Sequence, residues 1–324
     1  MSICWRALLL GLSVGLLIRG VTAQNVIQTG DSVSNPMPPV LPTEAAFRFV
    51  GGPDFNPVAI KVDAEGNIYV GGNQPTQRAD GSPGSSVILY KLNPQFEQIF
   101  QMQLSGDGGE GLSAMAMDPA ENVYLAGTTV SANFQTLNPV QAQLGGSQDA
   151  FLTKVDPDGN VLFSTYLGGS GTETIGVITV DADGNAFLTG QTRSADFPTT
   201  PNAYISDFQP SQSSPELYVA KIATGSGTLE YSTGFGMGTW FDNFRGIVEV
   251  SGGDVFLLLG PSPTDFAVTD DSINGGSGQL LARLSADGST LVYASYADMQ
   301  SPTNSLILDG NGNPSGGCVS YRHH

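Results

Sequence analysis

The chain has 324 residues, with 12 Lys plus Arg against 30 Asp plus Glu, a formal charge of −18, and 42 Gly with 20 Pro. Hydrophobic residues reach 40% and charged residues only 13%, which excludes charge-driven disorder and a coiled coil rich in Glu and Lys. So acidic a surface repels phosphate, which excludes nucleic acid as a partner.

In chain order, residues 1–23 read as a secretory signal: Arg6, an apolar run over 7–18, then the small-x-small triplet Val21-Thr22-Ala23. The run is shorter than the about 20 apolar residues that span a bilayer. Once the signal is cleaved, no membrane span is expected, and the mature protein is expected to be secreted or at the cell surface. Residues 24–44, with Pro36, Pro38, Pro39 and Pro42, read as an extended linker. Cys4 leaves with the signal and Cys318 remains alone, so the fold must rest on burial and strand pairing, for which about 300 residues suffice.

Over 45–313 one pattern recurs about every 60 residues: an apolar run, an acidic turn with Gly and Asn, and a second apolar run. It begins at Ile60, Met115 and Ile178, returns weakly at Val248, and starts once more at Leu306 before breaking down. Its turn markers are Asp63, Asp118, Asp181, Ser251 and Asp309. Between them stands a second recurring run, ending in Lys91-Leu92, Lys154-Val155, Lys221-Ile222 and Arg283-Leu284. Each is followed by a turn and an apolar-aromatic run, clearest over 161–167, 229–235 and 291–296. Each unit thus holds four short strands between Gly, Asp, Asn and Pro turns, with no sustained helical period. Strand-only repeats of this size predict an all-β fold, a β-propeller of four-stranded blades. A two-layer β-sandwich needs no such internal copies.

The stretch Asp149-Ala150-Phe151-Leu152-Thr153-Lys154-Val155-Asp156-Pro157-Asp158-Gly159-Asn160, with Tyr166-Leu167-Gly168-Gly169 beyond it, resembles the bacterial β-propeller repeat family abbreviated SBBP. Asp181-Ala182-Asp183-Gly184-Asn185 and Ser194-Ala195-Asp196-Phe197-Pro198-Thr199-Thr200 extend the resemblance. It is strong over 149–205 and degenerate over roughly 45–310. Ser251 replaces the turn Asp, Arg283 replaces the Lys, and the first copy lacks the Asp-Phe-Pro-Thr-Thr element. The resemblance implies an exported or cell-surface bacterial protein, and it brings no catalytic residues.

Four full units fit between about 59 and 297. Phe47 to Gly52 resembles the end of an outer strand, and Leu306 to Leu308 an inner strand. Residues 314–324 match nothing in the repeat and read as an irregular tail. The expectation is a shortened chain, cut inside a fifth blade, with an open or imperfectly closed ring; the alternative is a compact ring that closes with the strands present.

The chemistry is sparse. Asp156-Pro157-Asp158-Gly159-Asn160 and Asp181-Ala182-Asp183-Gly184-Asn185 resemble the start of a calcium loop but lack its twelfth-position Glu and flanking helices. They read as tight turns, and no cofactor or metal is expected. Lys91, Lys154 and Lys221 share one repeat position, where each stem should pack between blades and each ammonium meet a carboxylate or carbonyl. The loops entering the blades carry Asp54, Glu110, Glu173 and Asp242 at similar offsets, with Trp240 and Phe241 beside the last.

An acidic rim with an aromatic suits a glycan or a protein ligand, and Glu110, Glu173, Trp240 and Asp242 are the expected ligand-binding residues. The competing role for the acids is bonding to loop amides, and for Trp240 filling a gap between blades. Both histidines are terminal, His323 and His324, so a Ser-His-Asp triad has no base within the repeats. No catalytic residue is expected. The alternative is a carbohydrate-active hydrolase or lyase using a carboxylate pair such as Glu110 and Glu173.

Overall fold

The computed structural model describes residues 51–52, 54–78, 80–210, 215–237, 247–251, 253–261, 279–297, 306–308 and 314–316. The chain divides into two units, Met1–Phe55 and Asn56–His324, and every strand among the described residues lies in the second. No helix occurs among the described residues.

The fold is all-β, built of four four-stranded antiparallel sheets in the order of the chain. Blade one holds β1 (Asn56–Val62), β2 (Ile68–Gln77), β3 (Pro83–Leu92) and β4 (Gln98–Leu104). Blade two holds β5 (Glu110–Met117), β6 (Val123–Thr129), β7 (Asp149–Val155) and β8 (Val161–Leu167). Blade three holds β9 (Glu173–Val180), β10 (Asn185–Thr192), β11 (Glu216–Ala223) and β12 (Thr228–Met237). Blade four holds β13 (Ile247–Ser251), β14 (Asp254–Pro261), β15 (Gln279–Leu284) and β16 (Leu291–Ala297). Successive blades meet through their first strands, β1 on β5, β5 on β9 and β9 on β13, the arrangement of a propeller around its axis.

Burial explains why the strands read as unbroken apolar runs. In β6, Val123 and Leu125 face the core shared with blade one, whereas Tyr124 and Ala126 face the core shared with blade three. Phe187 in β10 looks to blade four while its neighbours Ala186 and Leu188 look to blade two. A strand covered on both faces needs apolar residues at every position. Full burial contributes about 1.5–3 kcal/mol for each large side chain.

Two irregularities recur. The first strand bulges between Pro57 and Ala59, Leu112 and Ala114, and Ile175 and Val177. Facing the last two bulges, Gly127 and Gly190 leave no room for a Cβ against the carbonyl oxygens of Gly111 and Thr174. The fourth strand also bulges in every blade, at Ile99, Leu162, Glu230 and Val292.

In blades two and three the long connection between the second and third strands returns along the outer strand. Leu137 and Ser164 exchange backbone bonds of 2.9 Å, and Tyr166 N–H donates to Gln141 at 3.2 Å. In blade three Thr200 N–H donates to Ser232 at 3.1 Å, and Gly234 N–H to Ile205 at 2.8 Å. Blade one joins β2 to β3 by a tight turn, Arg78 N–H donating to Ser82 at 2.9 Å, so no such segment follows β4.

Among the described residues the arc is open at blade one. Ile60 of β1 is 40% exposed, although Met115 and Ile178 at the same repeat position are 5% and 7% exposed beneath a preceding blade. After blade four, β17 (Leu306–Leu308) packs on β13 and pairs antiparallel with β18 (Pro314–Gly316). Strand pairing therefore enters the stretch expected as an irregular tail from 314, because an inner strand leaves backbone groups that a neighbouring segment must satisfy. Residues 317–324, the 1–23 signal and the 24–44 linker lie outside the described residues.

Candidate functional site

The loops entering blades two and three are built by one repeated device. Glu110, the first residue of β5, is buried; Oε1 accepts from Thr129 Oγ1 at 3.2 Å and from Ser131 Oγ, and Oε2 accepts from Gly106 N–H at 3.0 Å. Ser131 Oγ in turn accepts from Gly108 and Gly109 N–H at 2.8 and 3.0 Å. Glu173, the first residue of β9, repeats this with Thr192 at 2.7 Å, Ser194 at 2.5 Å and Gly169 N–H at 3.1 Å. Ser194 Oγ then accepts from Gly171 N–H at 2.7 Å. Both carboxylates point into their blades and are spent on loop donors, so they do not present the acidic rim expected of them. A buried carboxylate must be satisfied, and this loop satisfies it three times over.

Two acids that sequence reasoning passed over have the same task at the start of the third strand. Asp149 of β7 is buried and accepts from Gln141 Nε2 at 2.8 Å, Gly145 N–H at 2.8 Å and Gly146 N–H at 3.2 Å. Glu216 of β11 is buried and accepts from Gln209 N–H at 2.6 Å. Burial raises the Glu173 carboxyl above the usual range, outweighing its hydroxyl donors, and the nearby Asp149 charge adds to the rise. Burial raises Asp149 and Glu216 as well. No Lys or Arg pairs with any of the three among the described ion pairs.

The cations sit with the opposite set of turns. Lys91 Nζ donates to Pro157 O of blade two at 3.0 Å, lies 3.8 Å from Asp63, and stands 4.9 Å from the Tyr69 ring centre. Lys154 pairs with Asp118 at 3.1 Å over Tyr124, and Lys221 with Glu230 at 2.6 Å over Phe187. Where Ser251 replaces the turn Asp, Arg283 reaches Asp254 instead, Nε donating at 2.6 Å. Each cation is thus held between a carboxylate and an aromatic face, the packing and pairing expected of the repeated lysines.

The turns themselves consume their acids. Asp181 Oδ1 accepts from Asp183 and Asn185 N–H at 3.0 and 2.8 Å, while Oδ2 accepts from Asn185 Nδ2 at 2.8 Å. Asp156 makes the same bonds with Asp158 and Asn160. The glycines at the fourth position, Gly159 and Gly184, have φ of 91° and 80°, as a tight turn requires. Asp63, Glu65 and Glu121 bring carboxylate oxygens within 4.8 Å of one another. Of these, Asp63 already accepts from Asn67, and Glu121 from Ala64 N–H at 2.9 Å.

A groove of about 520 Å³ runs between blades three and four, lined by Thr200, Asn202, Glu230, Tyr231 and Asp287. Trp240 and Asp242 lie outside the described residues, as do His323, His324 and both cysteines. The described residues therefore contain neither a His nor a Cys to serve as nucleophile or base.

Residues 162–198, from β8 through β10 into the loop beyond, match the family described as SBBP, beta-propeller repeat. The chain thus carries an SBBP beta-propeller repeat. No curated protein matches. Solved structures that match include a mutant of Synechocystis apocarotenoid oxygenase at 12% identity and a TM-score of 0.38, over 77% of this chain and 53% of that one. A glucose dehydrogenase is 12% identical with a TM-score of 0.39, over 81% of this chain and 79% of that one. A Trypanosoma rangeli sialidase in complex with sialic acid is 10% identical with a TM-score of 0.39, over 78% and 39%. The chain spans about half the length of the oxygenase it matches.

Proposed function

We propose that this chain is an exported, non-catalytic β-propeller that serves as a binding and structural module. One observation carries the reading: the repeated rim acids Glu110 and Glu173 are buried and fully engaged by loop hydroxyls and amides. Carboxylates that hydrolyse glycosides must reach the scissile bond and a water, and burial among three donors each argues against that role for these two. Export rests on the 1–23 signal. The ligand proposed for the loop rim is a glycan or a protein, with Trp240 and Asp242 as its contacts.

A glycan array run beside a polysaccharide hydrolysis screen on the mature protein tests this. The expected result is binding without turnover, weakened by Trp240→Ala. Turnover abolished by one carboxylate-to-amide change would replace the module with a hydrolase or lyase.

A further inference from the structure

The outer edge of blade one is built differently from those of blades two and three. Register fixes which backbone groups face outward there. Ser164 stands opposite Thr153, Ser232 opposite Ala220, and Gln101 opposite Tyr90, so the three are one repeat position. The backbone of Ser164 bonds Leu137, and Ser232 O accepts from Thr200 N–H, both on the side away from the third strand. The Gln101 N–H and C=O, and those of Gln103 two residues on, accordingly point out of blade one. No backbone bond to them occurs among the described residues beyond β3.

The edge is also unguarded. Its sequence, QIFQMQL, contains no charge, Gly or Pro, and Gln98, Gln101 and Gln103 are exposed. Natural edge strands are normally protected by Lys, Pro or a bulge, and β4 has only the bulge at Ile99. In a chain of charge −18, an uncharged strand is the place where two copies approach at least electrostatic cost.

We propose that β4 pairs with β4 of a second copy, antiparallel about a two-fold axis through Gln101. An antiparallel pair centred on an outward-facing residue is self-complementary: Gln101 of each protomer exchanges both backbone bonds with Gln101 of its partner. Phe100 then stands opposite Met102 of the second copy, an aromatic–thioether cross-strand pair. One short strand buries too little for a permanent dimer, so the association is weak and transient. Because the two copies repel at long range, salt tightens it. The inference uses the fold alone and does not depend on the proposed rim function.

Sedimentation equilibrium of the full chain up to about 200 µM, at low salt and at about 0.5 M NaCl, tests the pairing. The expected result is a reversible dimer, tighter in high salt, with slowed hydrogen exchange at the Gln101 and Gln103 amides as it forms. Gln101→Lys lowers the net negative charge yet sets two ammonium groups at the axis, and should weaken the dimer about tenfold. Gln77→Lys makes the same charge change away from the edge and should leave the dimer intact or tighter. Circular dichroism checks that both variants fold. A monomer under all conditions overturns the proposal. So does a dimer indifferent to Gln101→Lys, or a monomer whose Gln101 and Gln103 amides are already protected by its own chain.

Discussion

The carboxylates of Asp149 and Glu173 converge on a single glycine: a Cβ on Gly168 would lie 2.5 Å from Asp149 Cγ and 2.5 Å from Glu173 Oε2. Neither side chain is free to retreat, since each is anchored by three donors. Gly168→Ala should therefore destabilise the protein by about 2–3 kcal/mol, the range of overpacking in a closed site. Urea denaturation reads this as a lower midpoint at unchanged slope.

The same acids set the pH profile. Asp149, Glu173 and Glu216 titrate above their ordinary range in the folded chain. Their contribution is fully present below the unfolded carboxyl range and is lost as pH rises through the raised folded value. Asp118 and Asp156 behave oppositely: burial pushes both up, but bonds from Asn122 and Asn160 and from their neighbours hold them low. Their contribution is lost as pH falls through the depressed folded value. Thermal stability should thus peak in mildly acidic solution, just above the ordinary carboxyl range of about 4, and decline toward neutrality. Scanning calorimetry in about 0.5 M salt, which screens long-range repulsion but not buried groups, should retain that decline.

Blades two and three are tied at their turns by Tyr124, whose hydroxyl lies 2.9 Å from Asp118 Oδ2 and 2.8 Å from Gly184 O. Burial raises its ionisation far beyond neutral pH, so it keeps its proton and donates. Tyr124→Phe should cost about 1–2 kcal/mol. Thr224 Oγ1 also donates to Gly184 O, at 2.8 Å, so the double variant with Thr224→Val should cost more than the two single changes summed. Chemical denaturation of the four members of that cycle measures the coupling.

Removing one member of the Lys154–Asp118 pair should be worse than removing both charges. Both side chains are largely buried, and Lys154→Met leaves Asp118 uncompensated, costing about 3 kcal/mol. Adding Asp118→Asn should restore part of that loss, as read from the denaturation midpoint. Failure of this rescue would show that Lys154 acts through its packing on Tyr124 rather than through charge.

Much of the fold was legible because period and punctuation are local. The run over 161–167 is β8 residue for residue, and the shared position of Lys91, Lys154 and Lys221 announced a repeated ionic contact. Orientation was harder to read. An offset from Asp118 or Asp181 locates Glu110 and Glu173 at a strand start, but an acid there can face out or in. The deciding signal was a second spacing: Ser131 and Ser194 each follow their Glu by 21 residues, and Thr129 and Thr192 by 19. The segments along β8 and β12 were not legible as edge cover, since they contain Pro139 and Pro201 and lack strand alternation.

Each of the three large apolar clusters joins one blade only to the next. The molecule is therefore a row of joints, and its cohesion accumulates joint by joint. A lesion in blade two loosens its own two neighbours and leaves the joint between blades three and four intact. Duplicating a blade would add a joint without remaking the others, and drift such as Ser251 with Arg283 is corrected inside a single sheet. Such a row should come apart from blade one, where Ile60 of the first strand is 40% exposed, before its middle yields.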